Sequence, residues 1–83
     1  MRLLYFAWVR ERVGMGQEEV TPPASVATVA ALVEWLARTS PSHAAAFADR
    51  SRLRAAIDGA FVPLEAPLGH AREVAIFPPV TGG

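Results

Sequence analysis

The 83-residue chain contains no cysteine and no lysine. Without cysteine it has no disulfide, no thiolate nucleophile and no cysteine metal site, so any sulfur that it handles must sit on other atoms. Without lysine it offers no side-chain amine for self-conjugation. Its two histidines, His43 and His70, have no second ligand at helical or turn spacing. We therefore predict no metal site and treat both histidines as ordinary surface or loop residues.

An excess of one charge and a long apolar run are also lacking. Eight arginines and eight carboxylates give zero formal net charge, and their scattered order argues against nucleic acid or a membrane as the partner. The apolar N-terminal run stops at Arg10, well short of a bilayer span, and no small-residue cleavage site follows. We therefore expect a cytoplasmic protein that binds other proteins.

Side chains arranged for conventional catalysis are also missing from the sequence. No nucleophile has a base at a recognisable spacing, and no carboxylates are paired in a way that indicates acid-base work. Glu18 and Glu19 fit a solvated strand edge, and Asp58 fits a turn. We expect that this chain alone is not a complete enzyme.

The chain is long enough for one small domain. Bulky apolar residues predict a buried strand over residues 3–9, and the glycines of residues 14–16 predict a turn into a second strand over residues 17–21. Because a third glycine at the required offset is missing, we interpret residues 14–16 as a turn and not as a phosphate-binding loop. The next segment, residues 26–38, has helical apolar spacing, with Ser25 as its predicted cap.

The second half predicts a short helix over residues 42–48, capped by Ser40. Strand patterns follow over residues 53–58, 60–62 and 72–77, with a tight hairpin turn at Asp58 and Gly59. Together these elements predict an α+β domain in which one mixed sheet wraps around a principal helix.

The last six residues have the features of a segment that enters another protein. Glycine has no side chain, so a diglycine end can thread a tunnel too narrow for other residues. Two consecutive prolines favour an extended backbone that advances about 3.1 Å per residue. We therefore predict a domain over residues 1–77 and an extended tail over residues 78–83. The tail consists of Pro78, Pro79, Val80, Thr81, Gly82 and Gly83.

The carboxylate of Gly83 is the reactive group that this tail would deliver. A carboxylate resists nucleophilic attack, so a partner must first convert it to an acyl-adenylate with ATP. The activated carbonyl can then accept sulfur and become a thiocarboxylate, which requires no cysteine in this chain. We accordingly predict no cofactor bound by the chain itself, with ATP used by the activating partner.

Over nearly its whole length the chain resembles the small, sulfur-carrier subunits of molybdopterin synthase, which are ubiquitin-like β-grasp proteins. The resemblance rests on residues 4–11, on the helix over residues 26–37, on residues 53–57 and on the motif over residues 73–83. It implies that a ubiquitin-activating-enzyme-like adenylyltransferase adenylates Gly83 and that a sulfurtransferase supplies sulfur for the thiocarboxylate. The tail would then enter the large synthase subunit and donate sulfur to cyclic pyranopterin monophosphate.

The resemblance also implies that the catalytic side chains lie on the large subunit. Because the molybdopterin dithiolene needs two sulfurs, it implies a heterotetramer with a small subunit at each end of a dimer of large ones. We predict that Phe6, Phe61 and Phe77 share an exposed face of the sheet and dock the partner, since strand alternation places Phe6 opposite Tyr5 and Phe77 opposite Ile76.

Two other functions remain open from the sequence. A sulfur carrier for thiazole synthesis shares the fold and the diglycine, although it is usually shorter and lacks the Pro-Pro-Val approach. A ubiquitin-like modifier would instead be joined through Gly83 to lysines of target proteins.

Overall fold

A computed structural model describes residues 1–79 of the chain. Within this part, five strands form one mixed sheet in the order β2-β1-β5-β3-β4. Strands β1 and β5 are parallel, and the other neighbouring pairs are antiparallel. The strands are β1 (Arg2–Tyr5), β2 (Gln17–Glu19), β3 (Arg54–Ile57), β4 (Ala60–Val62) and β5 (Glu73–Phe77). The helices are α1 (Ala7–Val13), α2 (Val29–Ala37), α3 (Pro41–Ala46) and a 3-10 helix (Arg50–Arg52). The predicted α+β, β-grasp architecture is confirmed.

Helix α2 supplies the central part of the core. Its side chains Val29, Leu32, Val33 and Leu36 are at most 1% exposed, and they follow the i, i+3, i+4, i+7 spacing that the sequence predicts. The burial of each contributes about 1.5–3 kcal/mol relative to an exposed side chain. This apolar stripe packs in one cluster with residues of β1, β3 and β5, so the helices cover one face of the sheet and leave the other free.

Helix α2 begins three residues later than predicted, and Ser25 is not its cap. Thr28 caps it, with Oγ1 accepting a hydrogen bond of 3.1 Å from the amide of Ala31. The amides of Val29 and Ala30 donate to carbonyls of residues 66 and 64. The first amides of any helix have no hydrogen-bond acceptor within the helix. Here a distant loop accepts from two of them, and this contact determines where α2 starts.

The predicted strand over residues 3–9 is wrong beyond Tyr5. After β1 the chain turns through Ala7, whose φ of 52° is positive, into helix α1. Helix α1 buries Val9 and Val13, which are four residues apart and so lie on one helical face. Strands β1 and β2 pair antiparallel, but helix α1, with Gly14 as its C-terminal cap at φ 92°, connects them where the sequence predicts only a turn.

The remaining predicted elements are present, and their ends differ from the predicted ones by at most two residues. Helix α3 begins at Pro41 and is capped by Ser40, whose Oγ accepts from the amide of His43 at 3.1 Å. Asp58 and Gly59 have φ values of 47° and 86°, as a type I′ turn between β3 and β4 requires. No helix within residues 1–79 is both long enough and apolar enough to span a membrane.

Candidate functional site

The sheet face that the helices leave free carries an apolar groove. Four of its residues form a row across four strands, because Leu4 pairs with Ala75, Ala75 with Ala56, and Ala56 with Phe61. Ala75 and Ala56 have small side chains, so the groove is deepest in the middle of this row. The larger side chains of Leu4 and Phe61 lie at its two ends. The aromatic groove is lined by Leu4, Phe6, Ala56, Gly59, Phe61, Glu73, Ala75, Phe77, Pro78 and Pro79.

The three phenylalanines singled out in the sequence meet in this groove. Phe61 is 81% exposed and Phe6 is 49% exposed, whereas Phe77 is half-buried. The rings of Phe61 and Phe77 have centroids 5.5 Å apart at an interplanar angle of 45°, an arrangement that favours aromatic contact. Phe6 lies outside the strands, in the extended residue before α1. Their role in docking stays a prediction.

The predicted tail begins at the end of the aromatic groove. Strand β5 ends at Phe77, and Pro78 and Pro79 are half-buried lining residues of the groove. The other predicted tail residues, Val80, Thr81, Gly82 and Gly83, lie outside the described residues. The surface around Pro78 and Pro79 is therefore continuous with the exposed apolar part of the aromatic groove. Exposed apolar patches of this kind mark protein interfaces.

The aromatic groove is lined almost entirely by apolar residues, as in a surface that binds another molecule without side-chain catalysis. Glu73 is its one ionisable side chain among the described residues, and a carboxylate oxygen of Glu73 lies 3.7 Å from a guanidinium nitrogen of Arg2. Residues 1–79 contain no group of three or more His, Asp or Glu side chains that could hold a metal ion.

The interpretation of His43 as a surface or loop residue is wrong. It lies in α3 with 6% of its surface exposed, and its Nε2 lies 2.6 Å from Oε2 of Glu18. Because a carboxylate oxygen accepts, Nε2 donates in this contact. Nδ1 of His43 lies 2.6 Å from the Oγ of Ser40 that caps α3. His70 is exposed, as predicted.

Glu18 is likewise more than a solvated strand edge. Its Oε2 also accepts a hydrogen bond of 2.7 Å from the hydroxyl of Tyr5, a core residue that is 1% exposed. Burial, then the hydrogen bond to Glu18 and its negative charge, raise the pKa of Tyr5 well above its ordinary value. Glu19, by contrast, is exposed as predicted.

This buried polar network is the part of the molecule that the sequence did not indicate. The alternation of Glu18 and Glu19 on a short strand was the one available signal, since it turns one carboxylate toward the helices. The network joins β1, β2 and α3, and Ser40 is occupied as a helix cap. Its arrangement therefore supports the fold on the side of the sheet opposite to the aromatic groove.

Comparison with known proteins identifies the family. Residues 3–83 match the ThiS family. The chain is 43% identical to the molybdopterin synthase sulfur carrier subunit of Escherichia coli (strain K12), over 100% of this chain and 99% of that protein. It is 35% identical to the protein of the same name from Haemophilus influenzae, with the same coverage.

A solved structure has the same fold. The crystal structure of small archaeal modifier protein 1 from Haloferax volcanii superposes with a TM-score of 0.74 at 26% identity. The match covers 100% of this chain and 98% of that one.

The chain therefore belongs to the ThiS family, and over its whole length it is related to the sulfur carrier subunits of molybdopterin synthase.

Proposed function

We propose that this chain is the sulfur carrier subunit of molybdopterin synthase. The observation that carries the proposal is the 43% identity over 83 residues to a protein of that name. The family match extends to residue 83, so it includes the diglycine. The aromatic groove supports the same function, because an exposed apolar surface beside the start of the tail suits the docking of a partner.

In this function Gly83 carries the sulfur. A ubiquitin-activating-enzyme-like partner transfers AMP from ATP to the carboxylate of Gly83 and releases pyrophosphate. The outer sulfur of a persulfide on a sulfurtransferase then displaces AMP to form an acyl disulfide. A thiol reductant cleaves the S–S bond of this acyl disulfide and leaves the thiocarboxylate on Gly83. The chain contains no cysteine, so its terminal carbonyl carbon is the atom that can hold transferable sulfur.

Delivery requires the tail to enter the large subunit. Four residues beyond Pro79 span at most about 14 Å when extended, so the large subunit must dock close to the aromatic groove for Gly83 to reach a buried site. There the thiocarboxylate donates sulfur to cyclic pyranopterin monophosphate, and catalytic side chains come from the large subunit. Two carriers on a dimer of large subunits, in the cytoplasm, complete the proposal.

The structural likeness to a small archaeal modifier protein makes protein modification the second candidate. One experiment separates the functions. The purified chain is incubated with ATP, its activating enzyme and a sulfur source, and the products are analysed by intact-mass spectrometry. A carrier gains the mass of one sulfur in place of one oxygen. Larger covalent adducts in the presence of target proteins, without the sulfur exchange, would instead identify a modifier.

A sulfur carrier for thiazole synthesis would give the same mass change. Adding the large synthase subunit and cyclic pyranopterin monophosphate distinguishes it. A molybdopterin synthase carrier loses its sulfur in that mixture and molybdopterin forms, whereas a thiazole-pathway carrier keeps its thiocarboxylate.

A further inference from the structure

Trp8 in α1 forms cation–π contacts with two arginine side chains. The guanidinium carbon of Arg12 lies 4.7 Å from the centroid of the indole ring, and that of Arg52 lies 4.9 Å from it. Trp8 is half-buried and both arginines are exposed. Guanidinium groups bind aromatic rings in this way through charge and dispersion, and tryptophan is the strongest partner.

The strand pairing places this cation-aromatic cluster, made of Trp8, Arg12 and Arg52, close to the start of the tail. Tyr5 pairs with Ile76, so the beginning of α1 lies beside the end of β5. Arg54 pairs with Phe77, so the end of the 3-10 helix lies beside it as well. The contact of Trp8 with Arg52 therefore joins the two segments that flank the last residue of β5.

The charges of the two arginines in the cluster lack an ion-pair partner within the part of the chain that the structure describes. Within residues 1–79, carboxylates form ion pairs with three other arginines, Arg2, Arg38 and Arg50, and with neither Arg12 nor Arg52. The charge of Arg52 does act on Asp49, whose pKa is lowered first by the hydrogen bond from the side chain of Ser51 and to a smaller extent by Arg52. Its Oδ1 is occupied by the amide and hydroxyl of Ser51.

A stacked guanidinium keeps its N–H donors free at its edge. These donors suit the two oxygens of a carboxylate. Because Trp8 already restrains both side chains, less conformational entropy is lost when an anion binds. The cluster is thus an ordered cationic surface next to the aromatic groove, which contains Phe6, two residues before Trp8.

We propose that Arg12 and Arg52 dock acidic side chains of the large synthase subunit at the mouth of the tunnel that receives the tail. The inference rests on the proposed function. The anionic pterin substrate is the less suitable ligand, because in the proposed function it reacts at Gly83 and not at the base of the tail. In the complex, the large subunit would surround the base of the inserted tail, and carboxylates on that surface would complement the two guanidinium groups of the cluster.

The test measures how fast the chain associates with the large subunit, by stopped-flow fluorescence at low and high salt. The variant Arg12→Gln/Arg52→Gln is compared with Arg38→Gln/Arg50→Gln, which removes the same charge from two arginines that are ion-paired with Glu34. Circular dichroism verifies that both variants are folded. We expect association of the first variant to be about tenfold slower at low salt, because complementary rim charges act mainly on the association rate.

At high salt the difference from wild type should shrink to less than about twofold, because screening shortens the Debye length to about 3 Å at 1 M. Equal rates for the two double variants at low salt would overturn the proposal and leave the proposed function intact, as would a slow rate that salt does not change. A wild-type chain that fails to bind the large subunit would overturn both.

Discussion

Oε2 of Glu18 lies 2.6 Å from Nε2 of His43, 25 residues away in the sequence. The same oxygen accepts from the hydroxyl of Tyr5 at 2.7 Å, so one carboxylate joins the edge strand β2 to both β1 and α3. All three side chains are largely withdrawn from solvent: Glu18 is 20% exposed and His43 is 7% exposed at the side-chain level. Buried polar groups stabilise a fold only when they are paired, so this carboxylate is a point at which stability can be lost.

Replacing Glu18 with alanine should lower the free energy of unfolding by about 1–3 kcal/mol, since it leaves a buried hydroxyl and an imidazole nitrogen without their acceptor. Urea denaturation measures the change. The matched control is Glu19→Ala on the same strand, which removes an exposed contact with the N-terminal amine and should cost less than about 1 kcal/mol. Equal losses for the two variants would contradict a structural role for the network.

Tyr5 should remain protonated in the folded protein above the pH at which an exposed tyrosine ionises, about 10. Its raised pKa means that the folded state keeps a proton that the unfolded state releases, so stability should fall as the pH rises above about 10. Tyr5 is the one tyrosine in the chain, and the ultraviolet absorbance of tyrosinate therefore reports it directly. We expect ionisation to coincide with unfolding. The Tyr5→Phe variant should lack this contribution to the pH dependence of stability. Ionisation of Tyr5 near pH 10 while the protein is still folded would contradict the prediction.

Phe61→Ala should weaken binding to the large subunit by about 10–100-fold, as expected for an aromatic side chain at the centre of an interface. Calorimetric titration provides the affinity. Because Phe61 is 81% exposed, the substitution removes little buried surface and the fold should persist. Met15 is also an exposed apolar residue, at 42%, but it lies in the turn between α1 and β2. The control variant Met15→Ala should bind as the wild type does. If Phe61→Ala also binds with the affinity of the wild type, the aromatic groove is not part of the docking surface.

Asp58 supports the hairpin turn in two ways. Its Oδ1 accepts hydrogen bonds of 3.1 Å and 3.0 Å from the amides of Arg72 and Glu73, and its φ of 47° is one that alanine rarely adopts. Asp58→Ala should therefore destabilise the protein by about 1–3 kcal/mol. Asp58→Asn should cost less than about 1 kcal/mol, because asparagine tolerates this conformation and keeps an acceptor oxygen. Thermal unfolding of both variants checks the order, and the two losses would be equal if the charge of Asp58 were the important property.

The sequence predicted the features of the fold that depend on local patterns. The apolar stripe of α2, the cap of α3 at Ser40 and the Asp58-Gly59 turn each follow from residues within one or two turns of chain. The side of the sheet on which Phe6 and Phe77 lie also followed from a local pattern, because neighbouring residues at a strand or its end point to opposite sides. This rule places both side chains at the aromatic groove.

The predictions failed where distant contacts decide the structure. Helix α2 starts at Val29 and not at residue 26 because the loop over residues 64–68 binds the backbone ahead of it. The burial of His43 depends on Glu18, a residue of another element. The error at α1 was different in kind, since Val9 and Val13 have helical spacing, but the apolar run that precedes them is also typical of a strand.

The central claim is that sulfur on Gly83 becomes the sulfur of molybdopterin. The most direct measurement mixes the isolated thiocarboxylated chain with the large subunit and cyclic pyranopterin monophosphate, without any other sulfur source, and quantifies both products. We predict that molybdopterin forms and that two carriers return to the carboxylate form for each molybdopterin made. A thiocarboxylate that persists unchanged while no molybdopterin appears would contradict the claim.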